Sequence, residues 1–255
     1  MKPAKIYVAI KKELEKYFSS ELINVQNYDQ TYLDKIADNE GSVKILLDRA
    51  NFKVLTISSN VEALTGYSYE EWIENDMFLM FTVFISGEDN FIFTWIKSAN
   101  LILETAGSLL NYKAAFCGMS MTHKLGHTIH TLWRFLPIEV TDDFMIKTAI
   151  ISIDDISHLM KGNAYWGRSV FGELPKPQYC YIHSKENIHV FHDILSDREK
   201  EVLRNIARGL DSKEIAKLLF ISPNTVDNHR RNMLNRTGSR DTTSLIQICR
   251  MCMII

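Results

Sequence analysis

Residues 222–238 read SPNTVDNHRRNMLNRTG, a segment with a clear helix start and a clear helix stop. Ser222 is a favoured N-cap residue, and Pro223 suits the first helical position, where its missing N–H costs no hydrogen bond. Gly238 is typical of a helix end. The spacing i, i+7, i+8 puts the apolar residues on one inward face: Val226, Met233 and Leu234. The segment therefore predicts a short helix that packs against neighbours.

The polar side chains of this helix fall on a different face. Four of them are spaced i, i+3, i+4 and i+7: Asn224, Asp227, Asn228 and Arg231. Side chains of this kind form hydrogen bonds with base edges in the major groove of DNA. Around them lie hydroxyl and cationic residues able to hold phosphates: Lys213, Ser222, Thr225, His229, Arg230 and Arg236. We interpret the face as a DNA-reading surface; the alternative is a helical bundle whose polar stripe is merely solvated.

Three further helices are predicted around this one. Ser196 and Asp211 are each followed three residues later by glutamate, which is the pattern of a capping box. Asp241 can cap a last helix. A short turn at ISP, residues 221–223, joins the second helix to the third, and this arrangement is the helix-turn-helix pattern.

The segment LSDREKEVLRNIARGLDSKEIAKLLFISPNTVDNHRRNMLNRTG resembles the DNA-binding domain of the LuxR family, and the resemblance covers about residues 193–255. It implies an all-α domain of four helices whose third helix enters the major groove. Matching positions put Asp227, Asn228 and Arg231 against bases, with Thr225 and His229 near the DNA backbone. Many members carry a basic or neutral residue where this chain has Asp227. This acid would either accept from a cytosine amino group or hold Arg231 in position at i, i+4.

The last helix carries more apolar surface than a terminal helix usually exposes. The resemblance implies that this helix contributes to dimerisation. Its apolar residues are spaced i, i+3, i+4 and i+7: Leu245, Ile248, Cys249 and Cys252. We predict a domain core, a dimer seam or both at these positions, and a structural metal site is disfavoured because a second ligand pair is missing.

The balance of charged residues differs between the two parts of the chain. Residues 193–255 hold 11 Lys and Arg against 8 Asp and Glu, whereas residues 1–192 hold 18 against 23. The C-terminal third is therefore the part suited to a polyanion such as DNA.

The first 192 residues contain strand and helix signals in the order strand, strand, short helices, long helix and three strands. ILLDRANFKVLTISSNVEALTGYSYEEW and ISIDDIS resemble the opening and the final strand of a PAS domain, over about residues 43–158. The resemblance implies an α+β fold, a five-stranded antiparallel sheet with helices across one face. We predict a helical extension over 1–42 and an ordered connector over 159–192.

Residue types argue against the cofactors that PAS domains sometimes bind. The segment before the long helix lacks the cysteine of a flavin photosensor, and residues 87–107 lack the histidine of a haem sensor. We therefore expect no cofactor and no metal, including at the clustered His123, His127 and His130. Six aromatic residues could line a ligand cavity or be plain core: Phe78, Phe81, Phe84, Trp95, Phe116 and Trp133. The ligand-binding residues stay unknown.

These observations predict a bacterial transcription regulator rather than an enzyme. We expect double-stranded DNA as its partner, a homodimer, a contact with RNA polymerase and a cytoplasmic location without a signal peptide or membrane span. The PAS-like domain would sense a signal. The alternative is a constitutive dimerisation or protein-interaction module with no small ligand.

Overall fold

The computed structural model describes residues 30–49, 51, 53–83, 95, 112–140, 146–162, 165–171, 178–183, 189–190 and 192–255. They fall into two compact units. The first holds the described residues of Met1–Asp155 and Tyr165–Phe191, and the second holds those of Ile156–Ala164 and His192–Ile255. Of the helical extension predicted over 1–42, residues 1–29 lie outside the described residues, as does almost all of the long helix predicted over 87–107. In the part of the chain that is described, no helix is both long and apolar enough for a membrane span.

The first unit is an antiparallel sheet with helices. Its helices are α1 (Gln30–Glu40), α2 (Val61–Thr65) and α3 (Tyr69–Thr82). Its strands are β1 (Val43–Asp48), β2 (Lys53–Ile57), β3 (Tyr112–Thr122), β4 (Thr128–Val140), β5 (Ile146–Asp155), β6 (Trp166–Phe171), β7 (Gln178–His183) and β8 (His189–Val190). The sheet order is β2-β1-β5-β4-β3-β6-β7-β8.

The α+β architecture implied by the PAS resemblance is confirmed, and the five expected strands are neighbours in the order β2-β1-β5-β4-β3. The sheet does not end there. Three more strands come from the segment that we predicted to be a connector, because β6 pairs with β3 along its whole length, from Tyr112 opposite Phe171 to Gly118 opposite Trp166. Every residue of β6 is buried, so this strand is an interior part of the sheet.

Two tryptophans in the core of this unit, Trp72 and Trp133, have hydrogen-bond partners inside it. The Trp72 indole donates to Thr65 Oγ1 at 3.3 Å, and the Trp133 indole donates to Thr131 Oγ1 at 2.8 Å. The Trp95 ring lies against Gly167, where a Cβ atom would come within 2.1 Å of the ring. Glycine at 167 is therefore required by the close approach of an aromatic ring.

The β3–β4 hairpin is fastened to the corner between α2 and α3. Lys124 donates its backbone N–H to Thr65 O at 2.9 Å and its ammonium to Glu71 at 2.6 Å. The hydrogen bond from Lys124 holds the pKa of Glu71 below its ordinary value, and the backbone hydrogen bond from Ser68 adds to this. Gly66 turns the corner with φ of 77°.

The three histidines singled out in the sequence do not converge. The His123 and His127 rings stack at 4.2 Å between centroids, whereas His130 Nδ1 is paired with Ser120 Oγ at 2.8 Å. Desolvation lowers the pKa of both His123 and His130. Within the described residues, no group of three or more potential ligands could hold a metal ion.

The second unit holds α4 (Asp197–Ala207), α5 (Ser212–Leu219), α6 (Pro223–Thr237) and α7 (Thr242–Met251). All four predicted N-caps are confirmed. Ser196 and Asp211 form complete capping boxes, Ser222 accepts from Thr225 N–H, and Asp241 accepts from Ser244 N–H. A single 3-10 turn, η1 (Ser157–Leu159), also belongs to this unit although it precedes β6 in the chain.

Candidate nucleic-acid interface

A tight turn joins α5 to α6 and positions α6. Phe220 adopts a left-handed conformation with φ of 54° at the end of α5, and Ser222 then caps α6. The Arg198 guanidinium reaches from α4 to donate to Leu219 O, which fixes the last turn of α5. The predicted helix-turn-helix is therefore present, with α4 packed behind it.

The two faces of α6 are separated as the spacing predicted. Val226 and Met233 are completely buried, and Leu234 is half-buried. The predicted base-reading residues are all exposed: Asn224, Asp227, Asn228 and Arg231. The structure thus gathers these four side chains on one accessible face of a helix whose other face is core.

Asp227 is held by a partner that we did not expect. Ser212 Oγ, at the start of α5, donates to Asp227 Oδ1 at 2.7 Å. Arg230 Nη1 lies 3.8 Å from the same carboxylate oxygen, and Arg230 Nη2 lies 3.5 Å from Ser212 Oγ. The expected role of Asp227 in holding Arg231 is wrong, because the packing of α5 on α6 brings Ser212 to the acid and the i, i+3 spacing within α6 brings Arg230 to it.

Arg231 contacts Asn228 instead. The distance from Arg231 Nη1 to Asn228 Oδ1 is 3.4 Å, a weak hydrogen bond between two exposed side chains. Both groups therefore stay available to a ligand, and their proximity presents an amide and a guanidinium together.

The predicted phosphate-holding residues divide into two groups. Ser222 and Thr225 lie at the N-terminus of α6 with their hydroxyl oxygens 2.8 Å apart, and Lys213 is exposed in the first turn of α5. His229 and Arg230 are half-buried beside the exposed face. These residues surround the polar face of α6, where backbone N–H groups and the helix dipole favour an anion.

Arg236 belongs to neither group. Its Nη1 donates to Glu199 Oε2 at 2.8 Å and to Ile194 O at 2.9 Å. The Glu199 carboxylate, almost completely buried, also accepts from Ser196 in the capping box of α4. We therefore correct the expected phosphate contact, since this guanidinium neutralises a buried acid and joins α6 to the start of α4.

For the apolar face of α7, the expected domain core is confirmed and the expected dimer seam is corrected. Leu245, Ile248, Cys249 and Cys252 are each 0% exposed within a single chain, so they form domain core and are not available as a dimer seam. The exposed residues of α7 lie on its other side: Thr243, Gln247 and Arg250.

Two parts of this unit were missed from sequence. Ser212 follows directly after an N-cap, a position that gave no sign of a bond to a residue in the next helix. Residues 156–161 were assigned to the end of the PAS-like domain and to the connector, because nothing in their composition distinguishes packing in one unit from packing in the other.

Comparison with known proteins identifies the helical part of the second unit. Residues 193–249 match the family model described as bacterial regulatory proteins, luxR family. This segment is therefore a LuxR-type helix-turn-helix domain, a domain of DNA-binding transcription regulators, as the resemblance implied.

Curated relatives match over a small share of the chain. A nitrate/nitrite response regulator protein homolog of Haemophilus influenzae is 57% identical over 44 residues, which are 17% of this chain and 21% of that protein. The oxygen regulatory protein NreC of Staphylococcus aureus is 41% identical over 54 residues, which are 21% of this chain and 25% of that protein. The chain thus spans about a quarter of these relatives or less.

Solved structures align over larger shares at low identity. The PAS domain of a Colwellia psychrerythraea protein has a TM-score of 0.37 and 19% identity, over 51% of this chain and 99% of that one. The Vibrio cholerae VqmA–ligand–DNA complex has a TM-score of 0.34 and 14% identity, over 88% and 87%.

Proposed function

We propose that this chain is a sequence-specific transcription regulator that inserts α6 into the major groove of double-stranded DNA. The observation that carries the proposal is the exposed face of Asn224, Asn228 and Arg231 on a helix whose opposite face is buried core. The family match over residues 193–249 supports it.

Bases and phosphates would be contacted by different residues. Arg231 suits the two acceptors of a guanine, and Asn224 and Asn228 suit the donor and acceptor of an adenine. Asp227 would act mainly through Ser212 and Arg230, since its carboxylate is already occupied there. The N-terminus of α6, Lys213, His229 and Arg230 would hold phosphates and set the register of the helix on the duplex.

A homodimer is part of the proposal. A single small domain buries a modest area on DNA, and two half-sites read together give useful affinity and specificity. Because the apolar face of α7 is core, the seam would use Thr243, Gln247 and Arg250, the exposed side of the same helix. Such a regulator would act by recruiting or blocking RNA polymerase in the cytoplasm, and we expect no catalytic activity.

The sheet unit would modulate DNA binding in response to a signal. The alternative is a constitutive dimerisation or protein-interaction module with no small ligand. Native mass spectrometry of the purified chain separates the two, because a bound small molecule would support sensing and contradict the alternative.

The DNA-binding role is tested by selecting duplexes from a random pool with the full-length chain. We expect enrichment of two related half-sites, one helical turn apart or a multiple of it. A pool that shows no enrichment after repeated rounds would contradict the proposal.

A further inference from the structure

A short stretch between two strands of the sheet is built into the other unit. It comprises Ile156–Lys161, which we call the latch. The chain enters it directly from β5, which ends at Asp155, and returns to β6 at Trp166. Ile156, Leu159 and Met160 are nevertheless buried in the second unit. This stretch is therefore part of the DNA-binding unit while being continuous with the sheet at both ends.

The latch is attached at the turn between α6 and α7. Lys161 N–H donates to Gly238 O at 3.0 Å, and Arg240 N–H donates to Leu159 O at 2.8 Å. Met160 and Ser239 form an antiparallel bridge between these two bonds. The Arg240 guanidinium also donates to His158 O. Backbone pairing on both sides of Ser239 leaves this turn little freedom to move independently of the latch.

The attachment point lies where the DNA-reading helix ends. Gly238 is the left-handed C-cap of α6, with φ of 72°, and Asp241 is the N-cap of α7. The residues of the turn thus fix the direction of α7 relative to α6. Any displacement of the latch is passed to the helix that reads DNA and to the helix that carries the proposed dimer seam.

The two strands that hold the latch are not neighbours. In the sheet order, β4 and β3 separate β5 from β6. Three strand spacings put the two ends about 14 Å apart across the sheet. A change in twist or pairing of the sheet alters this separation and therefore displaces the two ends of the latch relative to each other. The ends of a loop between adjacent strands would be displaced less.

We infer that the latch transmits the state of the sheet unit to α6 and α7, and that the paired latch is the DNA-binding state. This inference rests on the proposed function, since it needs α6 to read DNA. A signal acting on the sheet would change the pairing of Lys161 with Gly238 and thereby change the affinity for the operator.

The test compares Lys161→Pro with Lys161→Ala in the full-length chain. Proline lacks the backbone N–H group that donates to Gly238 O, and alanine retains this group. Met160 has φ of −100° and ψ of 145°, the conformation favoured before a proline, and the Lys161 side chain is exposed. The proline variant should bind a duplex selected by the wild type roughly threefold to tenfold more weakly, as expected for one backbone hydrogen bond. The alanine variant should match the wild type.

Tryptophan emission reports transmission separately from affinity. The four tryptophans of the chain, Trp72, Trp95, Trp133 and Trp166, all lie in the sheet unit. Saturation with the selected duplex should change their emission in the wild type and in Lys161→Ala. Lys161→Pro, also saturated, should lose at least half of this change.

The outcomes separate the latch from the DNA-binding role. Equal affinity and equal emission change in Lys161→Pro and Lys161→Ala would overturn the latch alone. A wild type that selects no duplex would overturn the DNA-binding role and the latch with it. If Lys161→Pro does not fold, hydrogen exchange in the wild type decides the question. The Lys161 and Arg240 amides should exchange more slowly with the duplex bound, and unchanged rates would overturn the latch.

Discussion

Ser212 donates a hydrogen bond to Asp227 across the helix-turn-helix, with 2.7 Å between the hydroxyl and carboxylate oxygens. The bond joins the first residue of α5 to the exposed face of α6. It gives the acid a structural partner within the proposed DNA-reading surface. Arg230, 3.8 Å from the same carboxylate oxygen, partly offsets the negative charge.

Replacing Asp227 should therefore strengthen non-specific binding. Asp227→Asn retains an oxygen that can accept from Ser212 but removes a negative charge that repels phosphates. We expect several-fold tighter binding to a random-sequence duplex, measured by fluorescence anisotropy at several salt concentrations. Asp197→Asn is the matched control, since Asp197 is a fully exposed acid on α4. An equal gain in affinity in both variants would show that only the net charge of the protein matters, and it would contradict a specific effect of Asp227.

Replacing Arg231 and replacing Arg230 should impair different components of DNA binding. Arg231→Ala removes a proposed base contact and should lower discrimination at one base pair by ~1–3 kcal/mol. Arg230→Ala should weaken binding to all sequences alike and reduce the slope of log affinity against log salt by about 1. Titrations of specific and random duplexes across salt check both. The assignment of Arg231 to bases and of Arg230 to phosphates would be wrong if both variants lost specific and non-specific binding equally.

Arg236→Ala should destabilise the protein rather than remove a phosphate contact. It leaves the buried Glu199 carboxylate without its cation, at a cost of about 1–3 kcal/mol. Urea unfolding followed by far-ultraviolet circular dichroism measures this loss. Arg204→Ala, an exposed arginine on α4, is the control and should be nearly neutral. Weaker DNA binding by Arg236→Ala at unchanged stability would restore the phosphate role.

Gly66→Ala should destabilise the sheet unit more than Gly126→Ala. Both glycines have positive φ, 77° and 88°, and both variants incur a backbone penalty of about 1–2 kcal/mol. A Cβ at 66 would also lie 2.5 Å from His123 Cε1, whereas nothing lies within 4 Å of one at 126. Tryptophan fluorescence in urea compares the two. Equal losses would show that the imidazole moves aside without cost.

Asp241 should make the second unit sensitive to acid. Hydrogen bonds from the Ser244 backbone and side chain hold its pKa below the ordinary value. A lowered folded pKa means that the stabilisation is present above the unfolded value and is lost as pH falls through the folded one. Between pH 7 and pH 3, Asp241→Asn should lose less stability than the wild type, measured by urea unfolding. Identical losses would contradict this role of the cap.

The parts predicted correctly from sequence depend on local contacts. The N-caps Ser196, Asp211, Ser222 and Asp241 satisfy N–H groups two or three residues away, so their residue types suffice to place the helix starts. The two faces of α6 follow from helical spacing in the same way. The order of the first five strands along the chain could also be predicted, because turn and strand signals alternate clearly in that region.

The errors concern contacts between distant residues. The burial of Cys249 and Cys252 depends on which elements cover α7, and the pairing of Arg236 with Glu199 links residues on α6 and α4. Helical spacing shows that an apolar or cationic face exists but not what covers it. The latch was missed for the same reason. Its hydrogen bonds join Leu159 and Lys161 to Gly238 and Arg240, which are far from them in the sequence.

Arg231 on α6 is proposed to read a base in the major groove, and duplexes with modified purines can show this contact. In the selected duplex, each purine is replaced in turn by its 7-deaza analogue, which removes one major-groove acceptor and retains base pairing. Affinities of the wild type and Arg231→Ala are then measured for every substituted duplex. At least one purine per half-site should be found whose substitution weakens binding by the wild type about tenfold and leaves binding by Arg231→Ala unaffected. Substitutions that weaken both proteins equally at every position, or neither protein at any, would contradict it.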